Sequence, residues 1–451
     1  MNILLATHHF PPKYWGGGEL RTYETARWLQ QRGHSVRVLC VESPYANETD
    51  GLRFEDDAFD GIFVRRLFFN LKSAPDPFRY AYDNPWIGDH LRTWLAQDPP
   101  DVFHVIGGYL ISASALDAAR AAGIPTFVTL LEFWFQCAVN ILLRGDNTLC
   151  EGPSDLVDCA RCVMDQQRRY RFFDERAPRA SRAFWHLAAN NPFLANSTGL
   201  AARMRQLGAR RDKLFDALIQ TDAIISPSQF IMDMVAANQV PREKLHLIAH
   251  LEPKPPLTAR WRKSSSDHLR IGYLGQMTKM KGVDVLIDAF QKITPRAKPP
   301  QLILYGNVNA FPAFGQTLQA KARGNPNIIF AGTYDREQVY TVLQGLDVLA
   351  FPSIWYENAP RVVREAFETG TPVIAGNLGS AAEYVTHDVN GLLFARGDVN
   401  DLARQIQSLV DEPARVETLR RGIPRVKPMD DEMNELLALY NTAIEKRSVR
   451  V

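Results

Sequence analysis

Two carboxylates indicate the chemistry to look for. The stretch from Phe351 to Ala375 reads FPSIWYENAPRVVREAFETGTPVIA, with Glu357 and Glu365 separated by seven residues. The apolar run LDVLAF ending at Phe351 predicts a buried strand, followed by an exposed loop and then a helix. Pro360 fits the first helical turn, where its missing N–H loses nothing, and Gly370 fits the stop. Glu357 therefore falls in the loop, and Glu365 about one and a half turns inside the helix. Unpaired backbone N–H groups at a helix start carry roughly half a positive charge and attract anions. A loop carboxylate beside such an end suits a ligand that presents both hydroxyls and phosphate. The same residues also suit a surface loop with two solvated glutamates, and spacing alone does not separate the two.

Three further groups of residues could do chemistry. Gly16, Gly17 and Gly18 precede a helix predicted over 19–31. Glycines there let backbone amides approach a phosphate, or simply make a flexible turn. The pattern is not G-x-G-x-x-G, which disfavours a nicotinamide cofactor. In the loop GQMTKMKG, opened by Gly275 and Gln276, Lys281 is a compact cation able to meet diphosphate charge, with Lys279 close by. Cys137, Cys150, Cys159 and Cys162 end in C-x-x-C, a set that fits a tetrahedral structural Zn²⁺. Their irregular gaps also fit a small loop of buried or paired thiols without metal.

Set in PS-x-W-Y-E-N-x-P and followed by EAFETGTPVIA, the glutamate pair resembles the E-x7-E region of retaining family-4 glycosyltransferases. GGGELRTYETARWLQQRGHSVRVL resembles the glycine loop of that family, and LLRGDNTLCEGP resembles a Cys-bearing insert of one subgroup. The resemblance extends over nearly the whole chain. It implies an α/β, GT-B fold: two Rossmann-like domains facing across a cleft, with a C-terminal helix crossing back to the first. It also implies a retaining hexosyltransferase that moves a sugar from a nucleoside-diphosphate donor to an acceptor hydroxyl. The acceptor class is a glycan or lipid-linked glycan, in cell-surface polysaccharide assembly. Glu357 would hold hydroxyls of the donor sugar and Glu365 the ribose. Asn358 and Ala359, with Gly275, Gln276, Lys281 and Gly16 to Gly18, would surround the diphosphate. Glu357 and Lys281 carry the catalytic assignment. No cofactor is required for the transfer, and zinc on the four cysteines would be structural.

Two departures from the family stand out. Where its members carry His-Asp after Thr-Leu, this chain has Leu131 and Glu132, and a leucine cannot donate a hydrogen bond. Either the donor lacks a 6-hydroxyl, or catalysis depends less on that group, or activity is lost. Where the family has Gly-Arg, this chain has Gln276, while the lysine five residues on is retained as Lys281. A bidentate cation is thereby missing. Both departures keep open a second reading, a non-catalytic GT-B protein that binds a nucleotide sugar or scaffolds an active transferase.

The elements that must position these residues alternate between strand and helix. Asn2 to Ala6 reads as a first parallel strand, SVRVLC as the second, and GLRFE with GIFVRRLFF as a hairpin added to the sheet. The predicted organisation is a Rossmann-like domain over 1–252, with a Cys-rich and helical insert at about 137–215. A Pro- and Ser-rich linker follows over 253–268, then a nucleotide-sugar domain over 269–428 and a tail helix over 429–451. In the insert, arginines interleave with Phe172, Phe173, Phe184 and Trp185. That composition suits peripheral contact with anionic lipid, a polyanionic acceptor, or a plain solvated helix with an aromatic core face. Lys and Arg number 52 against 50 acidic residues, so nothing global points to nucleic acid. No hydrophobic run is long enough to span a bilayer, and the five cysteines do not read as a secreted disulfide scaffold. A cytoplasmic location, with the inner face of the membrane as a possible site of contact, is the expectation.

Overall fold

The computed structural model describes residues 1–46, 51–152, 155–165, 168–249, 263–296 and 298–448. They form two compact α/β units. The first takes 1–227, 231–248 and the chain from 429 onward; the second takes 228–230 and 249–428. Most of the predicted linker lies outside the described residues. Where the chain is described again, Lys263 donates to the carbonyls of Leu343 at 2.8 Å and Leu346 at 2.9 Å in the second unit.

The first unit is built on eight strands: β1 (Asn2–Thr7), β2 (Ser35–Ser43), β3 (Leu52–Phe59), β4 (Ile62–Phe69), β5 (Val102–Ile106), β6 (Thr126–Thr129), β7 (Ala223–Ser226) and β8 (Leu245–Leu247). Their order in the sheet is β3-β4-β2-β1-β5-β6-β7-β8. All pairings are parallel except the β3–β4 hairpin. Central strands covered on both faces need apolar side chains at every position, and Ile3 to Ala6 are all fully buried. The edge strand β3 is charged instead. Its Asp56 and Asp57 pair across the hairpin with Arg65 at 2.6 Å and Arg66 at 2.8 Å. Helices at 156–164, 168–176, 178–189, 192–197 and 200–219 form the insert between β6 and β7.

The second unit has β9 (Arg270–Leu274), β10 (Gln301–Tyr305), β11 (Ile328–Gly332), β12 (Val348–Phe351), β13 (Val373–Gly376) and β14 (Gly391–Phe394). They are ordered β11-β10-β9-β12-β13-β14, all parallel. After β9 the chain builds outward through β10 and β11, then returns to the other side of β9 as β12. The boundary between β9 and β12 is therefore the topological switch point, where loops diverge and leave a crevice at the strands' carboxyl ends. Each unit is Rossmann-like, as the alternating pattern implies.

The terminal helix Met429–Ser448 belongs to the first unit, where Met433, Leu436, Tyr440 and Ala443 join its core. Polar contacts fix its register. Glu432, fully buried, meets Arg21 at 2.8 Å, and Asp430 accepts from Trp28 Nε1 at 2.6 Å. The Tyr440 hydroxyl lies 2.5 Å from His104 Nδ1, whose Nε2 is 2.8 Å from Thr129 Oγ1. Burial pushes the His104 pKa down to about 3, so the ring is a neutral link between the helix and the middle of the sheet. Tyr440→Phe strands a buried ring nitrogen and should cost about 1–3 kcal/mol. A urea titration of the full chain reads this out, and an unchanged midpoint would contradict the link.

Candidate functional site

In the second unit, the loop after β9 and the loop after β12 leave adjacent strands and are joined backbone to backbone. The Ile354 amide donates to the Met280 carbonyl at 2.9 Å, and Ser353 Oγ reaches the same oxygen at 3.4 Å. Gly282 is in the left-handed region, φ 68°, and a Cβ there would collide with the Pro352 carbonyl. Only glycine allows that approach. Lys281 is thereby placed against the glutamate loop. Glu357 Oε1 accepts three hydrogen bonds, from Lys281 Nζ, Ser353 Oγ and Trp355 Nε1, each at 2.7 Å. Lys281 Nζ also lies 5.5 Å from the centre of the Trp355 ring. Ser380 Oγ holds the Glu357 carbonyl at 2.6 Å. Ser353 and Trp355 were not assigned roles from sequence. The signal was available, since both are donors within four residues of the carboxylate in the same loop.

The remaining residues of this site fall as follows. Gly275 donates its amide to the Tyr305 carbonyl at 3.1 Å, and Gln276 is exposed, with its carbonyl accepting from the Tyr273 hydroxyl at 2.6 Å. Burial first, and then the Glu357 charge, raise the Tyr273 pKa, which keeps that hydroxyl a donor. Asn358 is buried and Ala359 half-buried ahead of the helix Arg361–Glu368. Pro360 is the N-cap of this helix, one position earlier than the first-turn placement read from sequence. Val363, Ala366 and Phe367 turn its apolar face inward. Gly370, at φ 66°, follows its last turn. Glu365 is buried on this helix, and its Oε1 accepts from Arg361 Nε at 2.8 Å and from Arg336. Among the described contacts none joins Glu365 to Lys281. The fold thus brings Lys281 and Glu357 together and gives Glu365 a separate pair of arginines.

In the first unit, the glycines open the helix Gly17–Gln31, with Gly16 as its N-cap. The helix start already has a carboxylate near it. Glu19 folds back until its Oε2 is where a Gly16 Cβ would collide, and its Oε1 lies 3.2 Å from His8 Nε2. Gly18 borders both His8 and Leu131, while nothing lies near a side chain at Gly17. Glu132 accepts the amides of Gly108 at 2.6 Å and Tyr109 at 2.9 Å, after β5. His8 Nδ1 is buried without a hydrogen-bond partner. The His8–Glu19 pair went unread in the sequence, although His8 directly follows β1 at a strand's carboxyl end.

Burial works against a charged His8, but the hydrogen bond to Glu19 and the charges of Glu132 and Glu19 outweigh it, and its pKa is raised. Burial likewise opposes a charged Glu19, yet His8 leaves its pKa lowered. The stability from His8 is full below its unfolded pKa and is lost as pH rises through the raised folded value. The stability from Glu19 is full above its unfolded pKa and is lost as pH falls through the lowered one. The pair therefore contributes fully between the unfolded values of about 4.3 and 6.5. The stability gap between wild type and His8→Gln should be larger at about pH 6 than at about pH 9. A gap that is flat or widens with pH, followed by thermal unfolding, would contradict the pairing.

Cys137, Cys150, Cys159 and Cys162 line one small cavity in the insert, and none of the five cysteines is in a disulfide. Among the described residues, one trio of potential ligands has its donor atoms within 4.8 Å of one another: Asp155, Asp158 and His186. The sulfurs form no such trio, so the tetrahedral set expected from the sequence is not closed. Of the four aromatic residues singled out in the insert, Phe172, Phe173 and Phe184 are exposed, whereas Trp185 is buried in the insert's own core.

Comparison with known proteins agrees with this architecture. Residues 16–215 match the family described as "Glycosyl transferase 4-like domain", and residues 259–425 match "Glycosyl transferases group 1". The capsular polysaccharide biosynthesis glycosyltransferase CapM of Staphylococcus aureus is 25% identical over 194 residues, 42% of this chain and 50% of that protein. The 2-deoxystreptamine glucosyltransferase of Streptomyces kanamyceticus is 29% identical over 146 residues, 32% of this chain and 37% of that protein. The chain thus spans half or less of the length of these two relatives. Among solved structures, Anabaena Alr3699/HepE in complex with UDP and glucose aligns over 100% of both chains at 17% identity and a TM-score of 0.56. The catalytic domain of Starch Synthase IV from Arabidopsis thaliana, bound to ADP and acarbose, aligns over 98% of this chain and 99% of that one, at 12% identity and a TM-score of 0.60. At such identities these likenesses concern the fold.

Proposed function

For a chain related to the GT-B-fold glycosyltransferases, we propose transfer of a sugar from a nucleoside-diphosphate donor to an acceptor hydroxyl, with retention of configuration. The observation that supports it best is the Lys281–Glu357 pair at the carboxyl ends of adjoining parallel strands, at a switch point where α/β sheets take their ligands. Glu357 accepts hydroxyls of the donor sugar, in charge-assisted hydrogen bonds of about 1.5–3 kcal/mol each. Lys281, held beside it, meets the charge that develops on the departing diphosphate. In this reading Gly275, Gln276, Asn358 and Ala359, in the same two loops, complete the diphosphate side. Glu365, already fixed through Oε1, takes the ribose hydroxyls. The C1–O bond to the acceptor forms on the face from which the phosphate oxygen leaves, and that oxygen receives the acceptor proton.

Glu357→Gln keeps size and loses charge. It should slow hydrolysis of the donor sugar, measured without acceptor, by about 100–1,000-fold. Full activity in that variant would sink the assignment. A wild-type chain that binds nucleotide sugars but never turns them over would favour the non-catalytic reading, which Leu131 and Gln276 keep in play.

The acceptor side of the proposal includes an anionic lipid surface. Phe172, Phe173, Phe184, Leu187 and Phe193 are exposed on consecutive helices of the insert, with Phe193 at 78%. Exposed Arg171, Arg176, Arg179 and Arg182 lie among them. Large apolar side chains interleaved with cations match an interface of acyl chains and negative head groups. No described helix is long and apolar enough to cross a membrane. The chain should float with phosphatidylglycerol vesicles and not with phosphatidylcholine alone, and Phe172→Ser with Phe193→Ser should abolish flotation. Equal recovery from both vesicle types would remove this element.

A further inference from the structure

The cysteine cavity is lined by a buried polar side chain that neutral thiols leave unsatisfied. Its volume is about 30 Å³, the scale of a single water or ion. Cys137 closes a turn, its amide on the Phe133 carbonyl at 2.7 Å. Cys150 ends a small hairpin in which Leu143 and Leu149 pair and the Cys150 amide returns to Leu142 at 2.9 Å. Cys159 and Cys162 lie one turn apart on the helix Leu156–Met164, so they share a face.

Two neighbours have no counterpart for their polarity. Gln136 lines the cavity, is only 7% exposed, and neither atom of its amide has a hydrogen-bond partner. Arg210 is 6% exposed, and among the described contacts its guanidinium meets the carbonyls of Trp134 and Cys137 and the Trp134 ring. No carboxylate pairs with it among the described ion pairs, and a buried unpaired cation costs several kcal/mol.

We propose that Cys137, Cys150, Cys159 and Cys162 bind one Zn²⁺ as a tetrathiolate that clasps the hairpin to the helix of the insert. The metal displaces four thiol protons and leaves a dianionic centre. Arg144, which lines the cavity, and Arg210, on the Cys137 carbonyl, then lie near an anion, and the Gln136 amide gains a thiolate to donate to. Zn–S bonds of about 2.3 Å place the sulfurs about 3.8 Å apart, so binding draws them inward around the cavity. The trio Asp155, Asp158 and His186 is not the rival site. Asp158 is already held by Arg182 at 3.1 and 2.6 Å, and Asp155 caps its own helix. The clasp does not depend on the glycosyltransferase reading.

The test begins with wild-type full-length chain purified under reducing conditions. Metal analysis should find about one zinc per chain. Replacement by Co²⁺ should produce the sulfur-to-cobalt charge-transfer and d–d bands of a tetrahedral thiolate site. Cys162→Ser should lose the metal, whereas Cys40→Ser and Asp158→Asn should keep it. A wild-type chain with no zinc after growth in zinc-supplemented medium, and no thiolate spectrum with Co²⁺, would overturn the proposal even if the variants fail to fold. So would retention of zinc in Cys162→Ser with its loss in Asp158→Asn.

Discussion

The contact on which the candidate site depends is the approach of Gly282 to the Pro352 carbonyl. Two parallel strands that are neighbours in the sheet but far apart in sequence release their loops side by side, and the left-handed glycine lets those loops touch. A side chain at 282 would push the first loop away from the second and carry Lys281 with it. Glu357 would then keep Ser353 and Trp355, its local donors, and lose the ammonium of Lys281. The adjacency of β9 and β12 supplies the direction, and the glycine supplies the last ångström.

Each unit deals with charge in its own way. In the second, one carboxylate oxygen of Glu357 gathers an ammonium, a hydroxyl and an indole N–H, which holds the side chain still before any ligand arrives. Such preorganisation avoids reordering when charge develops. In the first, the glycine-rich helix start faces a carboxylate of its own, and His8 shares the charge of that carboxylate. The insert is different again, since the Gln136 amide is buried beside thiols too weakly polar to answer it. These three arrangements use the same rule, that a buried polar group needs a partner, and they differ in where the partner comes from.

Much of the architecture was legible because its signals are local. The cores of strands such as NILLAT and LDVLAF, Ile3 to Ala6 and Val348 to Phe351, are apolar at every position, as a parallel strand covered on both faces requires. The hairpin at 52–69 was readable from two short strand-like runs, GLRFE and GIFVRRLFF, close together in the chain. Pro360 was misplaced by one position, since N-cap and first-turn prolines look the same without the hydrogen bonds. Trp185 was read together with its exposed neighbours, yet it is the residue of that group turned into the insert's core. One residue of shift along a helix rotates a side chain by about 100°, and composition alone does not register that.

By itself, the sequence determined the alternation of strands and helices, the glycine and proline stops, and the chemical types available at each loop: two glutamates, a lysine, three glycines, four thiols. It could not determine which of these meet. Partners such as Lys281 with Glu357, Glu365 with Arg336, His104 with Tyr440 and Arg210 with the Trp134 carbonyl are tens to hundreds of residues apart. Only the order of strands in each sheet makes them neighbours, because hydrogen bonds and charge pairs act over a few ångströms in space and carry no mark in the chain that separates them.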